Sequence, residues 1–178
     1  MMKRFASHYF LRPDGTLGSF PVVEVDEAGV IRSMTEFGRS FTETAAVSFF
    51  GGIMLPGFID FVADGSLFTP GYMRSRSLLG FLRFVCHHGV SGEHDKRIAC
   101  CPQAIVNAQN IEFGPFDGCL ELEALLSQLT HERAHDLDVS PRWGTLQAGS
   151  SPGIMILEGL DLKHPKMISV PRFRIIVP

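Results

Sequence analysis

The chain has 178 residues, 45% of them hydrophobic, which is enough for one domain or two small ones with a buried core and excludes a disordered chain. Sixteen Lys plus Arg against nineteen Asp plus Glu give a formal charge of −3, with the basic residues scattered apart from pairs such as Lys3-Arg4 and Lys96-Arg97, so no nucleic-acid or polybasic membrane surface is expected. Every apolar stretch is broken within about ten residues by Gly, Pro or a charge, well short of the ~20 that a membrane-spanning helix needs. Met1-Met2-Lys3-Arg4 runs into His8, Arg12 and Asp14 without an apolar signal core, and a cytoplasmic location is expected.

In chain order, residues 2 to 32 predict a meander of short strands. Arg4 to Leu11 is followed by Pro13-Asp14-Gly15, which supplies a preset φ, an Asx-type side chain and a residue free to take positive φ. Phe20 to Asp26 alternates around Val23 and Val25, and Glu27-Ala28-Gly29 turns the chain into Val30-Ile31-Arg32. Val47 to Ile59 is a further extended region, broken by Gly51-Gly52 and by Pro56-Gly57. Ser77 is placed to cap a short helix reaching about His88, with Leu78, Phe81, Leu82 and Val85 at helical spacing. A second helix is predicted from about Leu120 to Asp138. Its stripe is Leu122, Leu125, Leu126, Leu129, Ala134 and Leu137, with Asp117 as the nearest N-cap and Glu121 and Glu123 near the positive end of the dipole. One strand is plausible at Arg97 to Cys101. After Pro141 the text is strand-like again, at Gly153 to Leu157 and Ser169 to Val177.

The four cysteines, Cys86, Cys100, Cys101 and Cys119, read as buried free thiols, since an adjacent pair is poorly placed to bridge itself. Fifteen Phe beside two Tyr and one Trp make the aromatic set unusually apolar, which implies a large core or a surface that meets another chain.

Gly52-Ile53-Met54-Leu55-Pro56-Gly57-Phe58-Ile59-Asp60 resembles the segment carrying the first barrel strand of the amidohydrolase superfamily, where a small β domain hands over to a metal-dependent (β/α)8 barrel. Leu126 to Val139, with Thr130, Ala134 and Leu137, resembles that family's late helix. Trp143-Gly144-Thr145-Leu146-Gln147-Ala148-Gly149 resembles its return into the β domain. Pro152-Gly153, standing where most of the superfamily has Ala-Asp, resembles the aminofutalosine deaminase-like branch.

The resemblance implies an α+β fold. Residues 1–60 and 142–178 would form a composite, β-sandwich-like domain, and residues 61–141 a small, partly helical remnant in place of most of the barrel. Two departures make it a truncated and degenerate member. Only 82 residues separate Asp60 from Trp143, against the ~200 to 250 of a full barrel. The family's His-x-His, two imidazoles on one strand face that bind a divalent metal, is matched here by Val62 and Asp64, and valine cannot ligate.

Three other groupings could carry chemistry. Cys86-His87-His88, with His94, Cys100 and Cys101, supplies zinc-type donors, although no C-x2-C spacing is present. Asp60 and Asp64 could serve as acid and base groups or as oxygen ligands, or Asp60 could hold a backbone turn. His131-Glu132-x-x-His135 spells the zincin motif, but it falls on the polar side of the predicted helix beside Gln128 and Asp138.

The expected function is therefore a non-catalytic binding or structural role without a cofactor, with a small-molecule ligand or a second copy of the chain as partner. A homodimer through residues from about Phe58 to Val85 is expected. Asp64, His87, His88 and His94 are the candidate binding residues. The rival is a zinc-dependent hydrolase of non-peptide C–N bonds in cyclic amides or amidines, of deaminase type. It would use those four residues or the His131-Glu132-His135 set.

Overall fold

The computed structural model describes residues 1–42, 46–62, 82–86, 122–136, 138–161 and 163–177. The N-terminal meander comprises β1 (Lys3–Leu11), β2 (Leu17–Ser19), β3 (Pro21–Val25) and β4 (Ile31–Glu36). Its turns are set by local carboxylates. Asp14 Oδ1 accepts the backbone N–H of Thr16 at 2.9 Å and its hydroxyl at 2.7 Å, closing the Pro13-Asp14-Gly15 turn. Asp26 Oδ1 accepts the N–H groups of Ala28 and Val30, both at 2.9 Å, and Arg32 Nε donates to its other oxygen at 2.8 Å. These bonds favour the ionised forms, so both carboxyls lie below their ordinary value, Asp14 chiefly through the Thr16 hydroxyl and Asp26 chiefly through the Val30 N–H.

β5 (Ser48–Pro56) runs parallel to β1 and antiparallel to β8 (Ile154–Asp161), and β9 (His164–Val177) forms a hairpin with β8. The result is a seven-stranded sheet of order β4-β3-β1-β5-β8-β9, with β2 beside β1. Strands from both ends of the chain thus share one sheet, and β5 joins them: Met54 stands opposite Phe10 on one side and Ile156 on the other.

Gly51-Gly52 does not break this region, as its glycines suggested; it forms a bulge inside β5. Ser7 faces Phe50 but Tyr9 faces Ile53, so β5 carries one extra residue. Gly52 has φ +136°, and a Cβ there would lie 2.1 Å from the Leu157 carbonyl oxygen. The bulge therefore seats β5 against β8 only while position 52 is glycine.

Both sheet faces are apolar where β5 and β8 lie. One cluster runs from Ile31 in β4 through Val23, Met54 and Ile156 to Val177 in β9, with Leu146 packed on it. On the other face Ile53, Leu55, Met155 and Leu157 meet Leu122, Leu126 and Leu129 of a short helix, α1 (Leu122–Leu129). Alternation along β5 and β8 produces the two clusters.

The long helix expected from Leu120 to Asp138 is two helices, α1 and α2 (His131–Asp136), separated at Thr130. Ser127 Oγ donates to Glu123 O and Thr130 Oγ1 to Leu126 O, each at 2.7 Å. Hydroxyls that bond back to i−4 carbonyls compete with the helix N–H groups and bend the axis. The stripe residues Leu122, Leu126, Leu129 and Ala134 are buried as expected. Among the described residues no helix is long and apolar enough to cross a membrane.

A second correction concerns Leu82 to Cys86, expected within a helix capped by Ser77. This segment is a strand, β7 (Leu82–Cys86), parallel to β6 (Phe58–Val62). A five-residue segment, apolar except for Arg83, fits either period, and Phe84-Val85-Cys86 has the aromatic and β-branched character that a strand favours. Ser77, Leu78, Phe81, the strand expected at Arg97–Cys101, Asp117 and Leu137 lie outside the described residues.

Candidate functional site

The chain passes from β5 into β6 through Gly57, whose N–H reaches the carbonyls of Pro152 and Gly153, both at 3.3 Å. The two dipeptides Pro56-Gly57 and Pro152-Gly153, about a hundred residues apart, thus meet at the sheet. Beyond them β6 and β7 pair in parallel with Phe58 opposite Leu82, Asp60 opposite Phe84 and Val62 opposite Cys86. Parallel neighbours require a crossover of a dozen or more residues, a length that residues 63–81 provide. Phe58 and Ile59 are buried, and Phe58 packs edge-on against Phe173 of β9 with ring centroids 5.3 Å apart.

Val62 closes β6 at the position matching the first histidine of His-x-His. An isopropyl group offers no lone pair, so the donor set at this strand end does not fit the divalent metal that the resemblance implies. Among the described residues no three His, Cys, Asp or Glu are grouped to hold a metal ion. Asp64, His87, His88 and His94 lie outside the described residues, as do Cys100, Cys101 and Cys119.

The His131-Glu132-His135 set is divided. α2 has six residues, with Glu132 and His135 exposed. His131 is half-buried against the Pro13-Asp14-Gly15 turn: its Cε1 lies 3.5 Å from where a Gly15 Cβ would be, and its Nδ1 is buried without a hydrogen-bond partner among the described residues. Both histidines were expected on the polar side of one long helix; His135 is exposed, but His131, the first residue of α2, lies against the turn instead. Gly144 adds to this closeness. It holds φ +87°, and a Cβ there would meet Ala134 Cβ at 2.4 Å, so the Trp143–Gly149 return presses directly on α2. The same return reaches the sheet through Gly149 N–H to Ile31 O at 2.8 Å and Ile31 N–H to Ser150 O at 2.9 Å.

The outer face of the N-terminal strands carries a second polar and aromatic grouping. His8 stands edge-on to Phe49 at 4.9 Å and tilted on Phe20 at 5.9 Å, and Phe41 stacks on Phe20 at 5.4 Å. The His8 Nδ1 is buried without a partner among the described residues, and burial lowers the His8 pKa from the ordinary 6.5. The unfolded chain then takes up this proton first as pH falls. Stability is full above about pH 6.5, declines below it, and levels off once the folded imidazole is also protonated. His8→Phe is expected to flatten the dependence of urea-unfolding stability on pH between about 7 and 5; an unchanged slope would contradict the assignment.

No family model matches the sequence, and no curated protein matches it. Solved structures show partial likeness at low identity. N-acetyl-D-glucosamine-6-phosphate deacetylase from Mycobacterium smegmatis is 15% identical at TM-score 0.35 over 60% of this chain and 30% of its own. A Xaa-Pro dipeptidase is 13% identical at TM-score 0.32 over 59% of this chain and 30% of its own. Guanine deaminase of E. coli is 14% identical at TM-score 0.25 over 45% of this chain and 24% of its own. The chain therefore spans less than a third of each of these proteins.

Sequence reading missed the outer-face grouping. Its members come from β1 (His8), β5 (Phe49), the residue before β3 (Phe20) and the segment after β4 (Phe41), and only the sheet topology brings them together, so no local pattern in the sequence signals it.

Proposed function

We propose that the chain is an amidohydrolase-like protein whose metal-binding motif is lost, and that it serves a non-catalytic binding or structural role in the cytoplasm. One observation carries the reading: Val62 occupies the end of β6, where the resemblance requires the first metal-binding imidazole. The parallel β6–β7 pair supports a remnant of the barrel's start, because parallel strands with a long crossover are how such a barrel begins. Protein purified without chelators is expected to carry a transition metal far below stoichiometry. One ion per chain, lost in Asp64→Ala, would overturn the reading and favour a rebuilt hydrolase.

The proposal includes a homodimer. Of the phenylalanines clustered in sequence where the barrel would begin, Phe58 is buried in its own chain, Phe50 packs on the larger core cluster and Phe49 joins the His8 grouping. A two-fold interface through residues from about Phe58 to Val85, burying at least ~1,000 Å², is the arrangement proposed. Light scattering coupled to size exclusion is expected to return twice the 19.6 kDa chain mass. A single-chain mass at micromolar concentration would remove the dimer from the proposal.

A further inference from the structure

The face of β1, β3 and β4 turned away from the core carries two register rows. The first is Arg4, Glu24 and Ser33; the second is Ala6, Val22 and Thr35. The first row is joined by an ion pair and a hydrogen bond: Arg4 Nε lies 2.7 Å from Glu24 Oε1, and Ser33 Oγ donates to Glu24 Oε2 at 2.8 Å. Phe41 and Val47 rise beside these rows. The Phe41 ring is fixed by its stack on Phe20 and by Phe49 at 5.6 Å. Between the polar row and the aromatic wall lies a groove of about 380 Å³, with Phe37, 43% exposed, at its rim.

We propose that this groove binds a small, uncharged aromatic carboxamide. Its volume is at the low end for ligand sites and suits a single ring with one substituent. The apolar wall takes the ring, with Phe41 held in place beforehand so that little is lost in ordering it. The polar row selects the substituent. Arg4 pairs with Glu24 through its Nε and, among the described residues, keeps its Nη groups as donors, while the Glu24 oxygens keep acceptor capacity beyond the Ser33 bond. A primary amide presents an acceptor and donors in one plane, and so meets both members of the pair. A carboxylate gains Arg4 but lies against Glu24, and an ammonium gains Glu24 but lies against Arg4; the pair as a whole is neutral and repays neither charge. This names a ligand class for the proposed binding role, yet it rests on the sheet face alone. A failed titration leaves the metal reading standing, and a stoichiometric metal leaves the groove standing.

The test is a nuclear magnetic resonance titration of the full chain with benzamide, benzoate, benzylamine and toluene. Benzamide is expected to bind saturably, shifting Val22, Glu24 and Phe41 resonances, about tenfold more tightly than each of the other three. Arg4→Gln is expected to remove most of the preference of benzamide over toluene, and Phe41→Ala to weaken all four. Phe37→Ala at the exposed rim keeps the wall testable if Phe41→Ala loosens the fold, with a smaller, severalfold loss expected. Equal or tighter binding of benzoate or benzylamine overturns the ligand class. Shifts that do not saturate, or that are unchanged in all three variants, overturn the site.

Discussion

A chain ending at Ile168 is expected to lose cooperative unfolding altogether. The deleted segment pairs Val177 with Ile154, Ile175 with Met155, Arg174 with Ile156, Phe173 with Leu157 and Arg172 with Glu158, so its loss strips the edge of β8 from Ile154 to Glu158. Met155, Ile156 and Leu157 are fully buried and belong to the two core clusters, and Phe173 also caps Phe58. Each lost ladder bond costs about 1 kcal/mol, and each uncovered large apolar side chain about 1.5–3 kcal/mol. Their sum reaches the 5–15 kcal/mol that typically separates folded from unfolded domains. Far-ultraviolet circular dichroism against temperature checks this. A sigmoidal transition within a few degrees of the full chain's would show that β8 does not depend on β9.

The second large effect is expected at Gly52. In Gly52→Ala the new methyl would stand 2.1 Å from the Leu157 carbonyl oxygen, with φ at +136°. The backbone conformation alone costs a non-glycine residue about 1–3 kcal/mol. The overlap is with backbone rather than a movable side chain, so β5 and β8 must part locally. A loss of at least about 3 kcal/mol in urea unfolding is expected, because separating the pair adds broken ladder bonds to that strain. Gly51→Ala is the control. Its nearest neighbour would be His8 Cε1 at 3.9 Å, an ordinary contact, and a change within about 1 kcal/mol is expected. Equal losses at the two positions would mean that the bulge does not set the β5–β8 seat.

These two effects mark where the sequence was readable and where it was not. The turns at Pro13-Asp14-Gly15 and Asp26 were legible because the carboxylate that closes each turn sits inside it, within four residues of its partners. The strand at Gly153–Leu157 and the stripe of Leu122, Leu126 and Leu129 were legible from period alone. Gly52 was misread as punctuation because its constraint is a carbonyl about a hundred residues away, which no local pattern contains. Leu82 to Cys86 was misread for the same reason, since its partner Phe58–Val62 decides the strand and lies more than twenty residues upstream. The bend at Thr130 did have a local signal, two hydroxyl residues placed to bond back to i−4 carbonyls, but the apolar stripe outweighed it. Both histidines follow that break in α2, and the motif is complete there in one helix, with His131 against the Gly15 turn and His135, one turn further on, in solvent.

The proposed loss of the metal site rests on chemistry that the sequence carries by itself, because a valine at position 62 cannot ligate whatever the backbone does. Calorimetric titration of zinc into the metal-free full chain tests that claim most directly. No stoichiometric site tighter than about micromolar is expected, since Val62 leaves any set built on Asp64 short of a ligand. One-to-one binding well below micromolar, abolished by Asp64→Ala while the protein stays folded, would contradict the account.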